Sequence, residues 1–180
     1  MTTSFDLFHG DGRHTPERGA ALPEPLYLQL RQPGRYLVDE GLRDACNVAL
    51  LLGQPLLLTG EPGTGKSRFA HALAWEFGLG EPLVYEVKST SQARTLFYHY
   101  DALRRYQDLQ SRALSQEAPL SSYLTINALG QAIVNSLAPE ELPEELRPLR
   151  PEGEPRRSVV LVDEIDKAPR DFPNDVLTEL

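Results

Sequence analysis

The stretch Gln54-Pro55-Leu56-Leu57-Leu58-Thr59-Gly60-Glu61-Pro62-Gly63-Thr64-Gly65-Lys66-Ser67 decides how the chain is read. A short apolar run without alternation comes first, the pattern of a strand covered on both faces as in a parallel sheet. Gly60 to Ser67 then match G-x-x-x-x-G-K-[ST] in full. From Lys66 to Phe77 a helical pattern places Phe69, Ala70, Leu73, Ala74 and Phe77 on one side, and Gly78 closes it. The spacing serves a chemical purpose. Gly60, Gly63 and Gly65 let the backbone turn tightly around Glu61, Pro62 and Thr64, so that N–H groups point into one concave nest for phosphates. The following helix adds its positive N-terminal end. Lys66 places a cation against β- and γ-phosphates, and the Ser67 hydroxyl can ligate Mg²⁺. Arg68, next in the chain, is grouped with these nucleotide-binding residues.

A second signal lies 97 positions after Lys66. Ser158 to Val162 reads as an apolar strand that runs into Asp163 and Glu164. At a strand end the backbone turns, so two neighbouring carboxylates can approach one site. Asp163 is expected to hold Mg²⁺ and its water shell, and Glu164 to polarise an attacking water as general base, with Lys66 the other catalytic residue. Asp166 and Lys167 read as surface or subunit-contact residues.

Working outward, Asp39 to Leu52 is an amphipathic helix, with Leu42, Ala45, Cys46, Ala49, Leu50 and Leu52 near 3.6-residue spacing and Gly53 as its C-cap. Leu83 to Val87 reads as a second strand. Ser89-Thr90-Ser91-Gln92 fits a capping box that opens a long helix to about Leu114. Leu120 to Leu137 has room for a short strand and a short helix. Pro139 to Arg157 is dense in Pro and Glu and reads as a solvated excursion. Asp171-Phe172-Pro173 resembles an N-cap with Pro in the first turn of a last helix. Residues 1–35, punctuated by Gly10, Gly12, Pro16, Gly19, Pro23, Pro25, Pro33 and Gly34, read as a leader.

The chain has 180 residues, 18 Lys+Arg against 26 Asp+Glu, and a net charge of -8. The length suits one domain of about 100–200 residues, and the ordinary composition excludes collagen-like and disordered classes. The acidic balance argues against nucleic-acid binding through the phosphate backbone, and Arg104-Arg105 with Tyr98, Tyr100 and Tyr106 reads as a solvated face with core aromatics. The single cysteine, Cys46, excludes an intrachain disulfide and a multi-Cys zinc site. His9, His14, His71 and His99 stand apart from any ligand cluster. No apolar stretch approaches the roughly 18–20 residues of a membrane span, and no secretory leader is visible, so a cytoplasmic location without membrane contact is expected. Trp75 reads as packing.

Gly60–Ser67 resembles a Walker A motif and Val159–Glu164 a Walker B motif of the AAA+ ATPases. Leu161-Val162-Asp163-Glu164-Ile165-Asp166-Lys167-Ala168-Pro169, with Asn174, Leu177 and Leu180 after it, resembles the MoxR-like and dynein-related branch. Asn47 to Thr59 and Tyr98 to Tyr106 are similar to segments of that branch. The resemblance implies an α/β P-loop NTPase fold, a three-layer αβα core with a parallel sheet, over residues 36–180. It implies ATP and Mg²⁺ as cofactors, ATP hydrolysis, a hexameric homo-oligomeric ring and a chaperone or remodelling action. By family analogy, a partner with a von Willebrand A-like domain is implied. So is an insert, placed here around residues 108–157. Tyr36, Leu37 and Val38 are the family-implied candidates beside adenine.

The family's later features (a fourth strand with a sensor Asn, an arginine finger, a fifth strand and a helical lid) find no counterpart in the sequence, so an N-terminal fragment of a longer protein is expected, incomplete at the C-terminal side of the core and inactive alone. In the family's strand order the fourth strand lies between the first and third, and losing it is expected to leave backbone groups unpaired and the fragment poorly stable. Two other functions compete: a nucleotide-dependent binding or assembly module without turnover, and a GTP-using relative. No N-K-x-D type guanine reader supports the latter.

Overall fold

The computed structural model describes residue 12, residues 32–111 and residues 118–179. The expected leader lies outside the described residues apart from Gly12 and residues 32–35. Of these, Pro33–Arg35 form a 3-10 turn in which Pro33 presets the first φ. Helix α1, Glu40–Leu52, forms where its periodicity predicted. The Asp39 carboxylate caps it by accepting from the Leu42 N–H at 3.0 Å, and Gly53 ends it in the left-handed region at φ 63°. Helix α2, Lys66–Glu76, begins directly on the glycine-rich loop and buries Phe69, Ala70, Ala72 and Ala74.

Two strands form the parallel sheet. β1, Leu83–Glu86, lies beside β4, Val160–Asp163, in the register Leu83 to Val160 and Glu86 to Asp163. The pairing runs one step further, because Val87 N–H donates to the Asp163 carbonyl at 3.0 Å. The crossover between them holds a second, antiparallel pair. β2, Tyr98–Tyr100, pairs with β3, Leu124–Ile126, and α3, Ala102–Ser111, stands between them in sequence. Helix α4, Ala128–Ser136, follows and packs on β1 and β4. Helix α5, Phe172–Glu179, completes the described elements, with Pro173 in its first turn as expected. The core gathers Val87, Leu96 and Phe172, with Tyr85, Phe97, Leu129, Val162 and Val176 against them.

Three expectations change. The run Gln54–Thr59 forms no strand and pairs with none among the described residues. A strand needs a backbone neighbour as well as apolar residues; β1 occupies one edge of β4, and the other edge carries none among the described residues. Leu57 is accordingly 68% exposed, rather than covered.

The long helix expected from Ser89 to Leu114 is broken into a 3-10 turn at Ala93–Leu96, then β2, then α3, and its end beyond residue 111 lies outside the described residues. The break has a tertiary cause. The Phe97 carbonyl accepts from the Asn127 N–H at 2.9 Å instead of from a helical amide, and the Asn127 side chain holds the Thr95 carbonyl at 2.6 Å. The closing contact is made by Thr95, whose Oγ1 donates to the Gln92 carbonyl at 2.6 Å and accepts from the Gln92 N–H at 3.4 Å, three positions later than the cap read at Ser89.

Among the described residues, the stretch expected as an insert, 108–157, is spread over several elements. The protruding β2–α3–β3 piece begins at Tyr98, α4 belongs to the core packing, and the Pro/Glu-rich segment is separate. That last segment is largely exposed, as a solvated excursion should be, but it is anchored. Leu142 is buried, and two arginines tie its carbonyls: Arg147 Nε donates to Pro139 and Leu142, and Arg150 to Leu137, Pro151 and Gly153.

Candidate functional site

The glycine-rich loop is shaped by residues that tolerate positive φ: Gly60 at 145°, Gly63 at 82° and Gly65 at 88°. Inside it, the Thr64 hydroxyl donates to the Glu61 carbonyl at 2.9 Å. Lys66 reaches back over the loop, its Nζ donating to the carbonyls of Gly60 at 2.8 Å and Glu61 at 2.9 Å. Its ammonium is thereby held beside the loop, while the backbone enters α2 through Gly65.

Ser67, the second residue of α2, meets the end of β4. Its hydroxyl donates to Asp163 Oδ2 at 2.8 Å across 96 positions of sequence. The other Asp163 oxygen, Oδ1, accepts from the Glu164 N–H at 3.0 Å, so the carboxylate is oriented at both oxygens. A hydroxyl and a carboxylate brought together are oxygen donors of the kind a hard divalent cation takes, so the pair fits Mg²⁺.

Glu164 takes φ 57°, the one non-glycine residue with positive φ among the described residues. Such a conformation costs about 1–3 kcal/mol and persists only where surroundings enforce it. Here the enforcement is a turn: Lys167 N–H donates to the Glu164 carbonyl at 2.9 Å, and Lys167 Nζ donates to Glu164 Oε2 at 2.6 Å. Hydrogen bonding to Glu164 raises the Lys167 pKa above its ordinary value; desolvation opposes the rise, and the negative charges of Glu164, Asp166 and Glu86 add to it. The ammonium's contribution is therefore complete below the ordinary lysine value of about 10.4 and disappears only as pH rises through the higher folded value. Lys167 is therefore charged at neutral pH.

The positions singled out from sequence thus divide. Gly60 to Ser67 form the loop and helix start; Ser67 meets Asp163, whereas the Glu164 side chain is engaged by Lys167. Arg68 turns towards Tyr36, its guanidinium carbon 5.8 Å from that ring's centre. Of the adenine candidates, Tyr36 packs on α2, with Phe69 at 6.1 Å between ring centres, whereas Leu37 is 92% exposed. Lys167 was not read as part of the site. Its signal was an opposite charge three residues after Glu164, a spacing that brings side chains together on any helical turn. Cys46 is buried as expected, and burial, then the charge of Glu76, raises its pKa, which keeps it a thiol. His71 bonds Glu81 at 3.1 Å, and no group of three metal-ligating side chains forms among the described residues. His9 and His14 lie outside the described residues. No described helix is long and apolar enough to cross a membrane.

Residues 55–180 match the family model of the AAA domain (dynein-related subfamily). The chain belongs to this family. The AAA domain brings with it the P-loop NTPase fold, to which the parallel β1–β4 pair and its flanking helices conform. It is an ATP-binding domain of the AAA+ kind, and such domains commonly assemble into rings. No curated protein and no solved structure matches the chain.

Proposed function

We propose that this AAA domain binds ATP with Mg²⁺ through Gly60–Ser67 and Asp163, and hydrolyses it with Glu164 as the general base. The observation that carries the reading is the 2.8 Å bond from Ser67 to Asp163, which joins the two motifs at one point. Backbone amides of Gly63, Gly65 and Lys66 cradle the phosphates, with Arg68 behind them. Lys66 exchanges its two carbonyl contacts for phosphate oxygens, a charge-assisted bond stronger than the ones it leaves. Ser67 and Asp163 hold the cation, which neutralises phosphate charge when bound. Glu164 accepts the proton of the attacking water. The assembled protein works as a ring of identical subunits in a MoxR-like chaperone or remodelling role, and a von Willebrand A-type protein is the partner that family analogy offers.

The test is ATP binding by the full chain and by Lys66→Ala. A charge-assisted bond of about 1.5–3 kcal/mol corresponds to roughly 10- to 150-fold in affinity. An unchanged dissociation constant in the variant rejects the site.

One observation favours a second reading, a nucleotide-dependent binding or assembly module without turnover. Glu164 Oε2 is held in an ion pair by Lys167 Nζ at 2.6 Å, a contact the general base must loosen before it meets a water. Turnover measured alongside ATP-dependent assembly by size-exclusion chromatography separates the two.

A further inference from the structure

The residues just before α1 bear on the loop in an arrangement that the nucleotide-binding reading does not use. Tyr36 closes the Pro33–Arg35 turn, its N–H donating to the Pro33 carbonyl at 3.1 Å. Its ring edge lies against Gly65: a Cβ placed on that glycine would come within 3.1 Å of Tyr36 Cε2. Gly65 is the residue through which the loop enters α2, and its φ of 88° decides how the amides of Lys66 and Ser67 are aimed. The ring is itself held, with Phe69 tilted against it and the Arg68 guanidinium over it.

Ten residues along α2 the contact recurs with the roles exchanged. Trp75 lies against Gly34 so closely that a Cβ there would sit 2.9 Å from its Cη2. An aromatic ring from each side therefore rests on a glycine of the other. This fastens the Pro33–Tyr36 turn to α2 at two places.

We propose that this turn is a brace for the phosphate loop, with Tyr36 as a positioning residue that holds Gly65 from outside and so acts on phosphate affinity rather than on the base. The proposal rests on the nucleotide-binding reading above and deepens it. Because the nearest contact is a ring carbon, the ring carries the effect and the hydroxyl does not. A single packing contact of this kind is a modest lever, on the scale of a 3- to 10-fold change in affinity (about 0.7–1.4 kcal/mol).

The experiment titrates the full chain, in Mg²⁺, with ATP and separately with inorganic tripolyphosphate. Tyr36→Ala weakens both ligands by the same factor, about 3- to 10-fold, and Tyr36→Phe restores both. Trp75→Ala, which removes the ring resting on Gly34 without touching Tyr36 or the loop, weakens both in parallel and carries the test if Tyr36→Ala does not fold. Loss of ATP affinity with tripolyphosphate unaffected overturns the brace and makes Tyr36 a base-contacting residue. Unchanged affinity for both in Tyr36→Ala or Trp75→Ala also overturns it. A wild-type chain that binds neither ligand rejects the nucleotide reading itself and this proposal with it, whereas wild-type binding with indifferent variants rejects the brace alone.

Discussion

Gly60–Lys66 is hydrogen-bonded mostly within itself, with the Tyr36 ring set against it from outside, whereas Asp163–Lys167 is held partly by chain far away. The bonds from the Thr64 and Lys66 side chains end on carbonyls no more than six residues back. The acid side differs. Asp163 is aimed by Ser67 from across the fold and sits at the end of a strand whose other support is β1. Only the Glu164–Lys167 turn is local there, and it holds a strained backbone with a half-exposed ion pair. A locally encoded loop keeps its geometry when the sheet is disturbed. An acid positioned by packing does not.

The largest expected effect separates the two sides by chemistry. Glu164→Gln keeps the shape of the side chain but cannot take a proton, so turnover falls by roughly 10²–10⁴-fold while ATP affinity is retained. Single-turnover hydrolysis beside equilibrium binding checks this; normal turnover in the variant removes Glu164 from the role.

The next prediction disturbs the packing alone. Gly130 lies on α4 against the Phe97 carbonyl, and a Cβ would fall 2.1 Å from that oxygen, where backbone would have to move. Gly130→Ala is expected to cost about 1–3 kcal/mol and to lower the melting temperature by roughly 2–4 °C per kcal/mol. Since α4 supports β1 and β4, turnover should fall before ATP affinity does as the variant is warmed. Equal loss of both would break the contrast between the two sides.

The smallest effect falls on the ion pair. Exposed pairs are worth about 0.2–1 kcal/mol, so Lys167→Met should lower kcat by no more than about fivefold, leave KM unchanged, and be restored by Lys167→Arg. A rise in kcat would mark the pair as a restraint on Glu164 and strengthen the binding-only reading.

What was legible in the sequence follows the same division. Asp39 and Gly53 bracket α1 because capping is local chemistry, and the glycine spacing predicts the loop for the same reason. The Val160–Asp163 strand was readable from its apolar run, yet Gln54–Thr59, as apolar, stays unpaired: composition states a preference, and only a neighbour makes a strand. The expected helix through residues 97–101 failed at Phe97, whose carbonyl is claimed by Asn127, thirty positions away. Among the candidate site residues, the types and spacing were visible. The two-sided orientation of Asp163, the Lys167 contact and the ring on Gly65 were not, since each depends on distances that no local pattern carries.

The Ser67–Asp163 bond also orders events in time. A ribosome adds about 5–20 residues per second, so the 96 positions between the serine and its acid take roughly 5–20 s to synthesise. Throughout that interval the nascent polypeptide carries a finished loop with no carboxylate opposite it, and whatever meets the loop then meets amides and a lysine alone.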